Sequence, residues 1–134
     1  MTLAQCNIYA QFTQSLASLS KCTDKHTAAI AVSEDGQQVY SIGINGGPIG
    51  GIQCLCTLGG KYTCIHAEAN CIAKCNAADK KKVMFCTLSP CVTCAAMIIN
   101  SGFSSVYYID DYKDFMGLEM LQEAGIQVMK LGGK

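Results

Sequence analysis

The hydrophobic pattern predicts an α/β fold, a mixed sheet flanked by helices. Three observations carry it. Short β-rich runs alternate with helical patterns through the second half, a turn pair joins two β-rich runs earlier on, and an amphipathic stretch opens the chain. Leu3, Cys6, Ile8, Phe12, Leu16 and Leu19 recur at mainly helical spacing, so a helix is expected over residues 2–20. Thr27 to Ser33 and Val39 to Ile44 are β-rich, and Asp35-Gly36 between them makes a hairpin. From Gly43 to Gly60 the chain carries Gly46, Gly47, Pro48, Gly50, Gly51 and Gly59, too broken for regular structure and long enough for a functional loop.

Beyond that loop the spacing predicts a helix over 64–78, a buried strand over 83–88, a helix over 90–101, a strand over 105–109, a helix over 115–124 and a strand over 127–131. Such alternation implies right-handed crossovers onto a mostly parallel sheet with an antiparallel hairpin at its start. Residues 1–134 fit one domain with one sizeable core.

Two short motifs fall at helix starts, His66-Ala67-Glu68 and Pro90-Cys91-Val92-Thr93-Cys94. A neutral imidazole and two thiolates suit Zn²⁺, and three protein ligands leave the fourth tetrahedral position to water. Pro90 suits the first position of a helix, which sets Cys91 and Cys94 on one face where the helix dipole favours thiolate. Glu68 is the proton shuttle. His-x-Glu followed by Pro-Cys-x-x-Cys is the described signature of zinc deaminases. The competing reading is half of a structural zinc ribbon or a thiol-rich core, but a structural site needs neither the Glu nor the vacant position.

Apolar residues make up 50% and charged residues 15%, which points to surface buried between subunits or to an apolar catalytic interior. Lys+Arg and Asp+Glu are each 10, and every basic residue is Lys. A protein that grips a polynucleotide normally carries a basic surplus, so that partner is disfavoured. The 10 cysteines, without a recognisable signal peptide or a run of ~20 apolar residues, indicate a reducing cytoplasm with metal-bound or buried thiols. Lys80-Lys81-Lys82 reads as a solvated turn, and Cys6, Cys71, Cys75 and Cys86 as packing.

Gly43-Ile44-Asn45-Gly46-Gly47-Pro48-Ile49-Gly50 and the run from Thr87 to Gly102 resemble deoxycytidylate (dCMP) deaminases of the zinc-dependent cytidine deaminase superfamily. Ser20-Lys21-Cys22 and Ile65-His66-Ala67-Glu68-Ala69-Asn70 do the same, and the short phage and bacterial members are the most similar. The resemblance implies the three-layer cytidine deaminase fold with a five-stranded mixed sheet, a homohexamer, and deamination of dCMP to dUMP in pyrimidine deoxynucleotide metabolism, supplying dTMP synthesis. His66, Cys91 and Cys94 are then the catalytic zinc ligands, Asn45 meets the sugar, the Ala67 amide meets the pyrimidine carbonyl and the Ser89 carbonyl receives the departing amine. The phosphate is expected near Ser20 and Lys21, with Lys25 close by in sequence. Ile44 stands where members commonly carry Tyr at an allosteric site for dCTP and dTTP with Mg²⁺.

Cys22, Cys54 and Cys64 resemble the ligands of a second, structural zinc, with Cys56 or His26 as the fourth; the alternative is four reduced thiols. The other functions the motifs admit are deamination of a nucleoside, a free base or tRNA adenosine, or a non-catalytic zinc-stabilised module.

Overall fold

Strand β1 (Ala28–Ser33) exposes no polar face, since all six of its residues are buried. A strand reads that way only when both faces of its sheet are covered. Ile30 and Val32 point into one layer with Cys6, Val83, Phe85 and Leu131. Ala29 and Ala31 point the other way, packing with Met84, Cys86, Ala95 and Ile98.

The computed structural model describes residues 1–50, 53–54, 56 and 64–132. Helix α1 (Leu3–Ala17) covers the first layer. β2 (Val39–Ile44), α2 (Ala67–Lys74), β3 (Lys82–Leu88), α3 (Val92–Asn100), β4 (Phe103–Asp110), α4 (Met116–Glu123) and β5 (Gln127–Lys130) follow, with α2, α3 and α4 on the second layer. Each large apolar side chain fully buried there, such as Ile98 or Leu121, stabilises by ~1.5–3 kcal/mol.

A reciprocal cap starts α1: Gln5 N–H donates to Thr2 Oγ1 at 3.1 Å, and Thr2 N–H donates to Gln5 Oε1 at 2.9 Å. The helix ends at Ala17, short of the expected residue 20, because Ser18, Leu19 and Ser20 turn onto the carbonyls three residues back.

The sheet order is β2-β1-β3-β4-β5. β2, β3, β4 and β5 run in one direction and β1 runs against them, so β3–β4 and β4–β5 pair in parallel while β1 pairs antiparallel with both β2 and β3. The sheet is mixed, as expected, with the antiparallel β1–β2 hairpin at its start and a parallel part behind it, and β1 lies between its hairpin partner and β3.

Two local expectations also change. Pro90 precedes the cap instead of opening the helix: Cys91 is the N-cap of α3, with extended dihedrals of φ −74° and ψ 173°. Lys82 is 1% exposed as the first residue of β3, where its ammonium lies 4.9 Å from the centre of the Phe103 ring and donates to the Lys80 carbonyl at 3.2 Å. The lysine run is therefore not uniformly solvated.

This topology brings four chain segments to one sheet edge. β3 and β4 end there together, at Leu88 and Asp110, because they are parallel. β1 starts there and β2 ends there, because each runs against its neighbour. The residues before Ala28 and those after Ile44, Leu88 and Asp110 therefore share one rim.

Candidate active site

His66 caps α2 and Cys91 caps α3, both with extended backbone, so the two helix starts meet beyond the strand ends. Glycines permit that approach. A Cβ on Gly43 would lie 2.1 Å from the Ala67 carbonyl oxygen, and one on Gly117 would lie 2.2 Å from that of Pro90. Gly43 thus lets β2 press on the start of α2, and Gly117 lets α4 press on the cysteine turn. Asn70 adds a tether, its Nδ2 donating to the Ile44 carbonyl at 2.9 Å.

The ligating atoms converge. His66 Nδ1 is 3.6 Å from Cys91 Sγ and 3.4 Å from Cys94 Sγ. Zinc bonded at ordinary Zn–N and Zn–S lengths in a tetrahedron separates its nitrogen and sulfur ligands by ~3.5 Å, so the triad fits that ion. Burial raises the Cys94 thiol well above its ordinary range and the Glu68 carboxylate raises it further, while the Ala69 amide works the other way. Only a cation in the triad makes thiolate the favoured form.

Glu68 sits one residue inside α2 at 7% exposure, and burial pushes its carboxyl up to about 7. It shares a pocket of about 360 Å³ with His66 and Cys91, at the small end of ligand cavities. Asn45 and Ser89 line the same pocket. Ala67, 1% exposed, lies behind it at the first helical position, where a backbone N–H has no partner within the helix.

Asn45 is braced on both sides. Its Oδ1 accepts from Thr27 N–H at 2.9 Å and its Nδ2 donates to the Lys25 carbonyl at 2.8 Å. Ser20 is committed too, its hydroxyl donating to the Asn45 carbonyl at 3.0 Å and accepting from Cys22 N–H at 3.2 Å. Lys21 faces a second recess, with Ile44, Gly47 and Pro48, on the other side of Asn45. Ser89 accepts from Tyr112 N–H at 2.7 Å and donates its own N–H to the Asp110 carbonyl at 2.9 Å.

A second cluster lies against the pocket. The sulfur atoms of Cys22, Cys54, Cys56 and Cys64 all fall within 4.8 Å of one another, and Cys22, Cys56 and Cys64 also line the pocket wall. His26 does not join them; its Nε2 sits 3.1 Å from the Cys22 carbonyl oxygen. Backbone amides point at the sulfurs: Thr23 N–H at Cys54 Sγ, 3.4 Å, and Asp24 N–H at Cys22 Sγ, 3.3 Å. The Cys56 and Thr23 amides bring Cys54 down to about 6, while burial and Cys22 push Cys64 well up. Four thiols this close cannot all ionise without a cation among them, which is the behaviour of a closed metal site. The rest of the glycine-rich stretch, including Gly51, Gly59 and Gly60, lies outside the described residues.

Sequence patterns did not single out Asp24, Thr27 or Tyr112, all at the pocket wall. Their placement follows from the strand register, which no local spacing encodes.

Three comparisons place this geometry among known proteins. The family described as the cytidine and deoxycytidylate deaminase zinc-binding region matches residues 5–110. ComE operon protein 2 of Bacillus subtilis is 31% identical over 84% of this chain and 64% of its own length. The deoxycytidylate deaminase of Saccharomyces cerevisiae is 29% identical over 84% of this chain and 40% of its own length. This chain thus spans less than two thirds of either relative. The crystal structure of the dCMP deaminase from cyanophage S-TIM5 in complex with dCMP and dUMP superposes with a TM-score of 0.87. It covers 98% of this chain and 99% of the phage chain at 29% identity.

Proposed function

This chain belongs to the cytidine and deoxycytidylate deaminase family, and from that premise we propose that it hydrolyses dCMP to dUMP and ammonia. The observation that carries the reading is the buried Glu68 carboxyl, in one pocket with a triad of zinc-compatible spacing. Zinc, when bound by His66, Cys91 and Cys94, supplies a Lewis acid that activates water for attack at C4 of the cytosine. Glu68 takes one proton from the attacking water to ring N3 and then carries the second, from the C4 hydroxyl, to the departing amine, leaving C4=O and N3–H. A buried carboxyl one residue inside α2, in the same pocket as His66 and Cys91, is placed to do both. The Ser89 carbonyl accepts a hydrogen bond from the leaving ammonia, the Ala67 amide meets the pyrimidine carbonyl, and Asn45 borders the sugar.

The reading includes a second, structural zinc held by Cys22, Cys54, Cys56 and Cys64, supported by the mutual approach of the four sulfurs. It also includes a homo-oligomer, a hexamer by the family resemblance, supported by exposed Leu3, Ile8, Leu19, Phe115 and Met116. The chain would work in the cytoplasm, consistent with 10 free cysteines. A dCTP or dTTP effector with Mg²⁺ would occupy the recess beside Ile44, Gly47 and Lys21. No described helix is long and apolar enough to cross a membrane.

The test is a substrate panel of cytosine, cytidine, deoxycytidine, CMP, dCMP and a tRNA, with ammonia release followed for the zinc-loaded protein. The account expects dCMP to be used best. Release from the tRNA or the free base in preference to dCMP would overturn it.

A further inference from the structure

Resting on the nucleotide reading above, we infer that Thr87 is a positioning residue: its hydroxyl props β1 and β3 apart at the rim and so sets the width of the crevice that the substrate enters.

The paired residues of β1 and β3 run from Ser33 and Lys82 to Ala29 and Cys86, and Ala28 and Thr87 come next. The Thr87 side chain takes over there. Its Oγ1 accepts from Ala28 N–H at 3.1 Å and donates to the Ala28 carbonyl at 3.4 Å, the two bonds that a facing residue's backbone makes in an antiparallel pair. A hydroxyl can replace backbone in this way only by lying between the strands, which separates them by the reach of the side chain. Ala28 and Thr87 are both buried, so the Ala28 N–H and carbonyl depend on this hydroxyl.

Each strand keeps its outer partner. Ala28 still pairs with Ile44 of β2, and Asn45 N–H donates to the Thr27 carbonyl at 3.2 Å. Leu88 still pairs with Asp110 of β4, and Ser89 N–H donates to the Asp110 carbonyl at 2.9 Å. The opening is thus confined to the seam between β1 and β3. Thr27 and Ala28 line the pocket on one side of that seam, and Leu88, Ser89 and Cys91 line it on the other. Open α/β sheets bind ligands in crevices beyond their strand ends, and here one side chain makes the crevice. Glu68 and the triad enter from the starts of α2 and α3, so the clasp acts on how the ligand fits more than on the chemical step.

The experiment compares Thr87→Val, which keeps the volume and removes the hydroxyl, with Thr87→Ala, which removes both, and Thr87→Ser, which keeps the hydroxyl. Val32→Ala, at the far end of the same strand pair, controls for lost stability. The zinc-loaded proteins are titrated with dUMP by calorimetry and assayed with dCMP, and amide hydrogen exchange at Ala28 is followed before ligand is added. Thr87→Val and Thr87→Ala should each weaken dUMP binding and raise KM for dCMP by about 10-fold, with kcat lowered by less than about 3-fold. The Ala28 amide should lose its protection in both. Thr87→Ser should stay near the wild type in every readout, and Val32→Ala should lower the melting temperature without moving dUMP binding. Wild-type dUMP binding in either hydroxyl-free variant, an Ala28 amide still protected in them, or an equal loss of dUMP binding in Val32→Ala overturns the inference. If neither hydroxyl-free variant folds, Thr87→Cys takes their place, since a thiol is the weaker donor and acceptor. If the Thr87 variants weaken dUMP but dCMP yields no ammonia, the inference stands and the activity falls. Ammonia from dCMP with dUMP binding intact in Thr87→Val gives the reverse. If the wild type binds no dUMP, the nucleotide reading falls and exchange at Ala28 alone decides the clasp.

Discussion

The triad of His66, Cys91 and Cys94 and the quartet of Cys22, Cys54, Cys56 and Cys64 are both thiol-rich clusters, but they stand on different scaffolds. The triad sits at two helix starts pressed into place through Gly43 and Gly117. Every member of the quartet lies outside helices α1–α4 and strands β1–β5, and Cys54, Cys56 and Cys64 share one glycine-rich stretch. A site that must hold reacting atoms benefits from rigid elements, whereas a site that joins loops can supply the rigidity itself. With zinc bound, the triad would keep Glu68 beside it and a ligand position free, whereas four thiolates would close the coordination sphere of an ion in the quartet.

The contrast breaks most sharply at the triad. Cys91→Ser removes a proposed zinc ligand, and direct ligands matter more than the outer-shell partners whose loss costs ~10–100-fold, so activity should fall by more than about 100-fold. Metal analysis should show the quartet's zinc retained. Loss of all metal from this variant would mean that the two clusters are not independent.

Cys54→Ser is the matching test at the quartet. One zinc per chain should disappear, the melting temperature should drop, and turnover should fall through looser pocket walls. An unchanged zinc content of one per chain would show that the quartet holds none.

Gly117→Ala probes the scaffold without touching a ligand. Its Cβ would meet the Pro90 carbonyl oxygen at 2.2 Å, and backbone there cannot simply rotate away. The expected cost is ~1–3 kcal/mol of stability in denaturant unfolding, with weakened zinc affinity at the triad. A variant as stable and as tight for zinc as the wild type would show that α4 does not hold the cysteine turn.

Asn45→Ala should have a smaller effect on stability, about 1–2 kcal/mol, through the loss of its bonds to Thr27 N–H and the Lys25 carbonyl. It should raise KM for dCMP more than it lowers kcat. Thermal unfolding and steady-state kinetics read the two effects separately.

The triad was legible in the sequence because its ligands come in short segments at helical starts, where residue type and spacing carry the geometry. The helices and strands were legible for the same reason, since periodicity is local. The quartet drew only on resemblance for Cys22, Cys54 and Cys64, because spacing cannot say which loops meet; the structure then brings in Cys56 and leaves His26 outside. Tyr112 and the reversed direction of β1 against β3 depend on which strands pair, a long-range choice. Lys82 misled as part of a charge run, since its burial comes from Phe103, a neighbour across the sheet.

The contrast rests finally on Glu68, the group that would give the triad its proposed chemical role. Glu68→Gln keeps the size of the side chain and removes the proton it carries. With zinc content measured on the same sample, ammonia release from dCMP by this variant is the most direct test. The account predicts wild-type zinc content and a rate lower by roughly 10²- to 10⁴-fold. A rate close to that of the wild type, with zinc in place, would contradict it.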